Sequence, residues 1–218
     1  MLIDSEIPMI NRQDYLRDPC KASSLPYWKT NLTAIPDDLF ILREDEFAKN
    51  NSYGTDDPYF KLIHHLENVD RYPLPEGYTV IQCSFADYAD HILECYDGAD
   101  MSAEILREYK NYPVYDPGLW IAVSDRKQDK IIASGIAEYD PGMGEGILDW
   151  IQVSPAYRRK HLGKFIVSEL LHRLQGKADF VTVSGQMNNP DHPLALYESC
   201  GFTDLTIWHI ITKKSIIL

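Results

Sequence analysis

Apolar and polar positions fall into two regimes along the chain, and the change comes at Pro73, Pro75 and Gly77. Before it, Pro8, Pro19, Pro26 and Pro36 punctuate short polar stretches, and residues 1–35 hold no sustained period. Leu39 to Leu42 reads as a short strand, and Tyr59 to Leu66 (YFKLIHHL) as a short amphipathic helix. After the break the pattern is regular. Tyr78 to Cys83 predicts a strand, and Phe85 to Cys95 a helix with Ala86, Tyr88, Ala89, Ile92 and Leu93 on its apolar face. Ser102 is placed to cap a second helix that must end before Pro113. Leu119–Val123, Ile131–Tyr139 and Ile147–Val153 follow as strands, then a helix over Leu162–Leu174 and a strand over Phe180–Ser184. A short helix over His192–Ser199 ends at Gly201, which suits the left-handed position after a helix, and Ile207–Thr212 closes as a strand. The order β-α-α-β-β-β-α-β-α-β predicts a mixed α/β (α+β) domain over 77–218, preceded by an extension of unknown role over 1–76. Gly142, Gly144 and Gly146 lie between two strands, so this glycine run reads as a hairpin and not as a phosphate loop, which would open a helix.

Composition narrows the class. The 218 residues are 44% apolar and 25% charged, as in a soluble globular chain. No apolar run reaches the roughly 18–20 residues that span a bilayer. Asp4 and Glu6 stand where a secretory leader would be basic, and four scattered cysteines form no CxxC pair, so reduced thiols and a cytoplasmic location are expected. Adjacent His64 and His65 face different ways on a helix, and no third ligand has fitting spacing, so no metal site is expected. A net charge of −12 argues against nucleic acid or an anionic membrane as partner, and favours cations.

Against that acidity, Arg158, Arg159, Lys160 and Lys164 put four cations around His161 within seven residues. They lie between a strand and a helix start, whose unpaired N–H groups carry the positive end of the helix dipole. Such a turn is either an anion site suited to a pyrophosphate or a solvated charged face.

The stretch Val153-Ser154-Pro155-Ala156-Tyr157-Arg158-Arg159-Lys160-His161-Leu162-Gly163 resembles motif A (Q/R-x-x-G-x-G/A) of the GNAT N-acetyltransferase superfamily. The motif starts at Arg158 and its second glycine is Gly163, while His161 stands where its first glycine would be. Ala195-Leu196-Tyr197-Glu198-Ser199-Cys200-Gly201-Phe202 resembles that family's closing LYExxGF signature. The resemblance implies a GNAT fold: a mixed, mostly antiparallel sheet with splayed central strands, Ile147–Val153 and Phe180–Ser184, flanked by helices. It implies acetyl-CoA as co-substrate. Backbone groups of Ile151, Gln152 and Val153 would pair with the pantetheine arm, and Arg158, Arg159, Lys160, His161, Leu162, Gly163 and Lys164 would hold the pyrophosphate. Asn189 would be the asparagine near the cofactor.

Tyr197 matches the family tyrosine that protonates the departing thiolate, and the N–H of Val153 would meet the oxyanion. Asp149 is the candidate base, with Glu145 and Glu138 behind it; a water chain in place of a direct base, a substrate-binding anion and an ordinary strand residue are the alternatives. The acceptor would be a small-molecule or peptide amine. The acidic stretch Asp87, Asp90, Glu94, Asp97, Asp100 and Glu104 either rims a site for a cationic acceptor or is plain surface acidity. Tyr88, Tyr96, Tyr109, Tyr112 and Tyr115 in the same region either line a pocket or pack. The competing functions are a catalytically silent acyl-CoA-binding module and a docking role for residues 1–76. A homodimer is compatible with all of these.

Overall fold

In the computed structural model, residues 10–30, 35–47, 54–127 and 130–213 are described. Short helices α1 (Arg12–Arg17), α2 (Pro19–Ala22) and α3 (Tyr27–Thr30) come first, then β1 (Leu39–Arg43), α4 (Glu44–Phe47) and β2 (Gly54–His64). There follow β3 (Tyr78–Ile81), α5 (Phe85–Cys95), α6 (Ala103–Glu108), β4 (Trp120–Asp125), β5 (Lys130–Asp140) and β6 (Glu145–Val153). The chain then forms α7 (Leu162–Leu174), β7 (Phe180–Gln186), α8 (Pro193–Glu198) and β8 (Thr203–Lys213). The strand order is β1-β8-β2-β7-β6-β5-β4-β3, a mostly antiparallel sheet of eight strands with flanking helices. The expected fold class is the observed one. Two compact units divide the chain: Met1–Ile63 with Thr182–Ala195 and Thr203–Leu218, and His64–Val181 with Leu196–Phe202.

In the first unit, β8 lies between β1 and β2, antiparallel to both. The helix expected over Tyr59–Leu66 is instead the buried end of β2, with Phe60 through His64 all buried. A strand buried on both faces shows no alternation, so its sequence reads equally well as helix. Lys61 lies inside this core, 1% exposed. Its ammonium donates to the Tyr15 hydroxyl (3.1 Å) and to the carbonyls of Ser23 (2.9 Å) and Leu25 (2.8 Å), which offsets the cost of burying the charge. That anchors the helical turns of residues 10–30, where the sequence showed only irregular pattern.

The second unit is an antiparallel meander, β3 to β6, with helices on both faces. Its helices begin where local chemistry places them. Ser84 and Asp87 form a reciprocal cap on α5, and the Ser102 hydroxyl accepts from the Ile105 N–H at the start of α6. Ile136 packs with Tyr88, Ile92 and Leu106 beneath α5 and α6. Its neighbour Gly135 faces the other way, where a Cβ would stand 2.4 Å from Ile166 of α7. Leu162, Ile166, Leu170 and Leu174 bury the face of α7 there. Gly144, with φ +65°, closes the β5–β6 hairpin that the glycine run predicted.

Candidate functional site

The site is built around the end of β6. Opposite β5, residues Val153, Gln152 and Ile151 pair with Ala133, Ser134 and Gly135, but Leu148 pairs with Ala137. Two residues, Asp149 and Trp150, therefore face the single residue Ile136, which is a β-bulge. A bulge re-aims the side chains it carries. The Tyr109 hydroxyl, just beyond α6, donates to Asp149 Oδ2 at 3.3 Å and accepts from Trp150 Nε1 at 3.1 Å. Burial, the Asp149 charge and the Glu138 charge on β5 all push the Tyr109 phenol well above its ordinary value, so it stays a neutral donor.

Beyond the bulge the ladder decides which backbone groups are turned away from β5. Ser154 N donates to Ile132 O, and antiparallel pairs alternate between bonded and non-bonded. Gln152 is consequently bonded to Ser134 through its backbone, while Ile151 and Val153 turn their N–H and C=O groups away from β5. Their carbonyls meet side chains: the Tyr96 hydroxyl donates to Ile151 O (2.8 Å), and Arg158 Nε to Val153 O (3.3 Å). Gln152 thus departs from the expectation for a pantetheine-facing residue. Its side chain is buried, with Nε2 donating to Ser134 Oγ (2.6 Å). Ser134 and Ser154 bracket the buried His91 ring, at 2.8 Å from Nδ1 and 3.1 Å from Nε2. Burial pushes the His91 imidazole down to about 4, so a neutral polar buttress lies behind Val153.

The basic turn follows β6. Arg159 and His161 both have φ of 61°, and His161 is the residue immediately before α7, with no side-chain hydrogen bond to the helix. His161 takes the left-handed backbone conformation that the motif's glycine would adopt without strain. Two left-handed residues separated only by Lys160 turn the backbone tightly just ahead of the α7 N-terminus, a setting suited to an anion cradle. Gly163 serves close approach: a Cβ on it would stand 3.1 Å from Leu196 Cδ2 and 3.9 Å from Val153 Cγ2. Lys160 and Lys164 hold their ammoniums over the rings of Tyr157 (4.6 Å) and Tyr72 (4.9 Å).

Tyr197, beside Leu196, is 5% exposed and edge-on to Phe202 at 5.6 Å. Burial raises its phenol far above the usual range, and Tyr96, Cys200 and Asp149 act in the same direction. The Tyr96 hydroxyl is itself held on β6, at Ile151 O, two residues beyond Asp149. Cys200 packs as a buried thiol, pushed up to about 11 chiefly by burial. Asn189 lies in the other unit, where its Oδ1 accepts from Asp191 N (2.9 Å) in a turn before α8.

Two residues of this arrangement, Tyr96 and Tyr109, were visible in sequence only as part of a tyrosine-rich stretch. Three of the six residues of the acidic stretch are engaged in a cap or an ion pair. Asp87 caps α5, Glu94 pairs with Lys130 (2.9 Å), and Glu104 with Arg107 (3.3 Å). Among the described residues, no group of three or more His, Cys, Asp or Glu is placed to hold a metal, and no helix is long and apolar enough to cross a membrane.

Residues 116–204 match the family model of the acetyltransferase (GNAT) domain. No curated protein matches the sequence. Among solved structures, the chain is similar to a GCN5-related N-acetyltransferase from Sphaerobacter thermophilus, at 14% identity and TM-score 0.64, over 88% of this chain and 66% of that one. A GNAT-family acetyltransferase from Colwellia psychrerythraea aligns over 79% of this chain and 64% of its own, at 13% identity and TM-score 0.57. A GNAT-family protein from Novosphingobium aromaticivorans aligns over 84% and 71%, at 12% identity and TM-score 0.53. The chain thus spans just under two thirds of the length of the Sphaerobacter and Colwellia proteins. At these identities the likeness is one of fold.

Proposed function

We propose that the chain is a GNAT acetyltransferase, a reading supported by the match over residues 116–204 and by the fold, and that it moves an acetyl group from acetyl-CoA to a primary amine by direct attack in a ternary complex. The observation that carries this reading is the β6 bulge. It sets Asp149 against the Tyr109 hydroxyl, while Val153, four residues on, turns its N–H away from β5. Asp149 takes a proton from the bound ammonium, and the freed nitrogen lone pair attacks the acetyl carbonyl carbon. Val153 N–H meets the oxyanion. Tyr197 gives its proton to the sulfur as the C–S bond breaks, and the second proton shed by the nitrogen restores the phenol. Arg158, Arg159, Lys160, His161, Leu162, Gly163 and Lys164 hold the pyrophosphate, and Ile151 and Val153 pair with the pantetheine amides in exchange for Tyr96 and Arg158.

Asp149, the buried Glu138 and the net charge of −12 favour a cationic acceptor: a polyamine, an aminoglycoside or a peptide amine. We assign the chemistry to residues 77–218, with 1–76 as an extension, and the site of action to the cytoplasm. The silent acyl-CoA-binding reading draws on the side chain of His161 in the anion cradle and on Arg158 at the Val153 carbonyl.

Calorimetric titration with acetyl-CoA comes first, then a panel of polyamines, aminoglycosides and peptides assayed for CoA release. Micromolar binding with amine-dependent release is expected. Binding without release by any amine would favour the silent module, and no binding at millimolar acetyl-CoA would remove the proposal.

A further inference from the structure

Between His64 and Tyr78 the chain forms neither helix nor strand, yet residues 64–72 are fastened at several points within the second unit. Leu66 N donates to His64 Nδ1 (2.9 Å), and Leu66 O accepts from Gln175 Nε2 (3.2 Å) just past the end of α7. The buried Ser168 of α7 donates its hydroxyl to Asp70 O (2.5 Å) and accepts from Tyr72 N (3.3 Å). The His64 ring meets Phe202 edge-on at 5.3 Å. At the end of this strap, the Tyr72 hydroxyl donates to Ser199 O (3.1 Å), two residues after Tyr197, and its ring lies under the Lys164 ammonium at 4.9 Å. Tyr72 therefore touches both the closing signature, at Ser199, and Lys164, the cation that directly follows the motif A stretch.

We propose that Tyr72 is a positioning residue for the nucleotide end of acetyl-CoA, its ring fixing the Lys164 ammonium beside the anion cradle of residues 158–163. This rests on the acetyl-CoA reading above. A lysine carries several rotatable bonds, and its charge contributes to binding an anion only to the extent that it is already aimed. Tyr72 supplies that aim through its ring, which the Ser168 bond to its backbone N–H holds against α7; the hydroxyl bond to Ser199 is a second, outer tether that the ring contact does not require. The charge is not consumed by the contact. A ring face attracts the ammonium without neutralising it, unlike a carboxylate partner, and the ammonium keeps its three N–H donors. Tyr72 lies before the break at Pro73, Pro75 and Gly77, so the strap joins the segment ahead of that break to the acyl-transfer site.

The test compares acetyl-CoA with acetyl-pantetheine, which lacks the pyrophosphate and the nucleotide, by calorimetry on the full chain. Tyr72→Leu is expected to weaken acetyl-CoA about fivefold, as the loss of an aimed cation does, while acetyl-pantetheine binds as to the wild type. Tyr72→Phe keeps the ring and is expected within about twofold of wild type for both ligands. Lys164→Gln leaves the strap in place and should show the same selective loss. Combining it with Tyr72→Leu should add nothing further, since both remove one interaction. Unchanged acetyl-CoA affinity in Tyr72→Leu, equal loss of both ligands, or additive losses in the double variant would each overturn the assignment. Should Tyr72→Leu not fold, the wild-type Lys164 ε-methylene proton resonances decide: an upfield ring-current shift together with a selective loss in Lys164→Gln is expected, and ε-methylene protons at the ordinary lysine position reject the role. Failure of the wild type to bind either ligand would count against the acetyl-CoA reading itself.

Discussion

Replacing Tyr197 by Phe removes one oxygen and leaves the ring edge-on to Phe202. If the hydroxyl is the acid that protonates the departing thiolate, the chemical step loses general-acid assistance, about 10²- to 10⁴-fold in kcat. Acetyl-CoA affinity should change by no more than about twofold, because the ring and the anion cradle are untouched. One buried hydroxyl is worth about 1 kcal/mol, which in a chain of this size is a shift of about 2–4 °C in Tm. The size of the kinetic effect against that small stability effect separates catalysis from packing.

The environment of the phenol makes a second, sharper statement. Burial first, then the neighbouring Tyr96, Cys200 and Asp149, raise it well above the ordinary value of 10.0. An acid must be protonated to act, and an acid whose pKa is raised stays protonated to higher pH. The wild-type rate should rise with pH as the acceptor amine loses its proton and then hold level to about pH 10, where an unperturbed tyrosine would already be half ionised. The assay is kcat against pH with a saturating acceptor, repeated with an acetyl thioester of a strongly acidic aryl thiol. That leaving group departs without a proton, so it should restore most of the rate of Tyr197→Phe. A variant impaired less than about tenfold, or one that the aryl thioester does not rescue, refutes the acid role; a wild-type limb falling with midpoint near 10 refutes the burial argument.

Three further changes probe the remaining parts. Asp149→Asn should lower kcat/KM at pH 7 by about 10²-fold or more, and the deficit should shrink at pH 9.5, where the amine deprotonates without help; a constant deficit would leave Asp149 a binding anion. Gly163→Ala sets a methyl 3.1 Å from Leu196 Cδ2, so crowding should cost about 1–2 kcal/mol in urea unfolding and displace the neighbour of Tyr197, lowering kcat; an unchanged midpoint would show that Leu196 yields freely. His209 donates to Asp56 (2.9 Å) and Glu44 (2.6 Å) while stacked on Phe47 at 3.8 Å. Burial opposes its charge, but the bonds to Glu44 and Asp56 outweigh that and raise its pKa above 6.5. Its contribution to stability is therefore complete below 6.5 and lost as pH rises through the raised value. With Glu44 59% exposed, solvent screening keeps the loss below about 1 kcal/mol between pH 6 and pH 9, and it should be absent in His209→Gln; equal pH dependence in both proteins would contradict it.

What the sequence disclosed and what it hid divide along one physical line. The bounds of α5 and α7 follow from signals within a few residues, the Ser84–Asp87 cap and the apolar spacing from Leu162 to Leu174, and both helices form where those signals put them. The hairpin at Gly144 and the left-handed Gly201 are equally local. The buried end of β2 is not, because Phe60 to His64 become a strand only through β8, some 140 residues further on, and Lys61 becomes a core residue only through Tyr15, Ser23 and Leu25. The site divides the same way. The cationic turn and Tyr197 were legible as motifs, whereas the bulge that re-aims Asp149 exists only as a mismatch of register between β5 and β6, and no single strand records it. Pro73, Pro75 and Gly77 are a third case. They read as the end of a segment because proline and glycine interrupt regular structure locally, but what binds residues 64–72 is Ser168, Gln175 and Ser199, about a hundred residues on. A break in periodicity marks where backbone hydrogen bonding stops, and compactness is decided by where side chains and carbonyls find partners. For this chain the two criteria part company over the strap that reaches Lys164 and the carbonyl next to the Tyr197 helix.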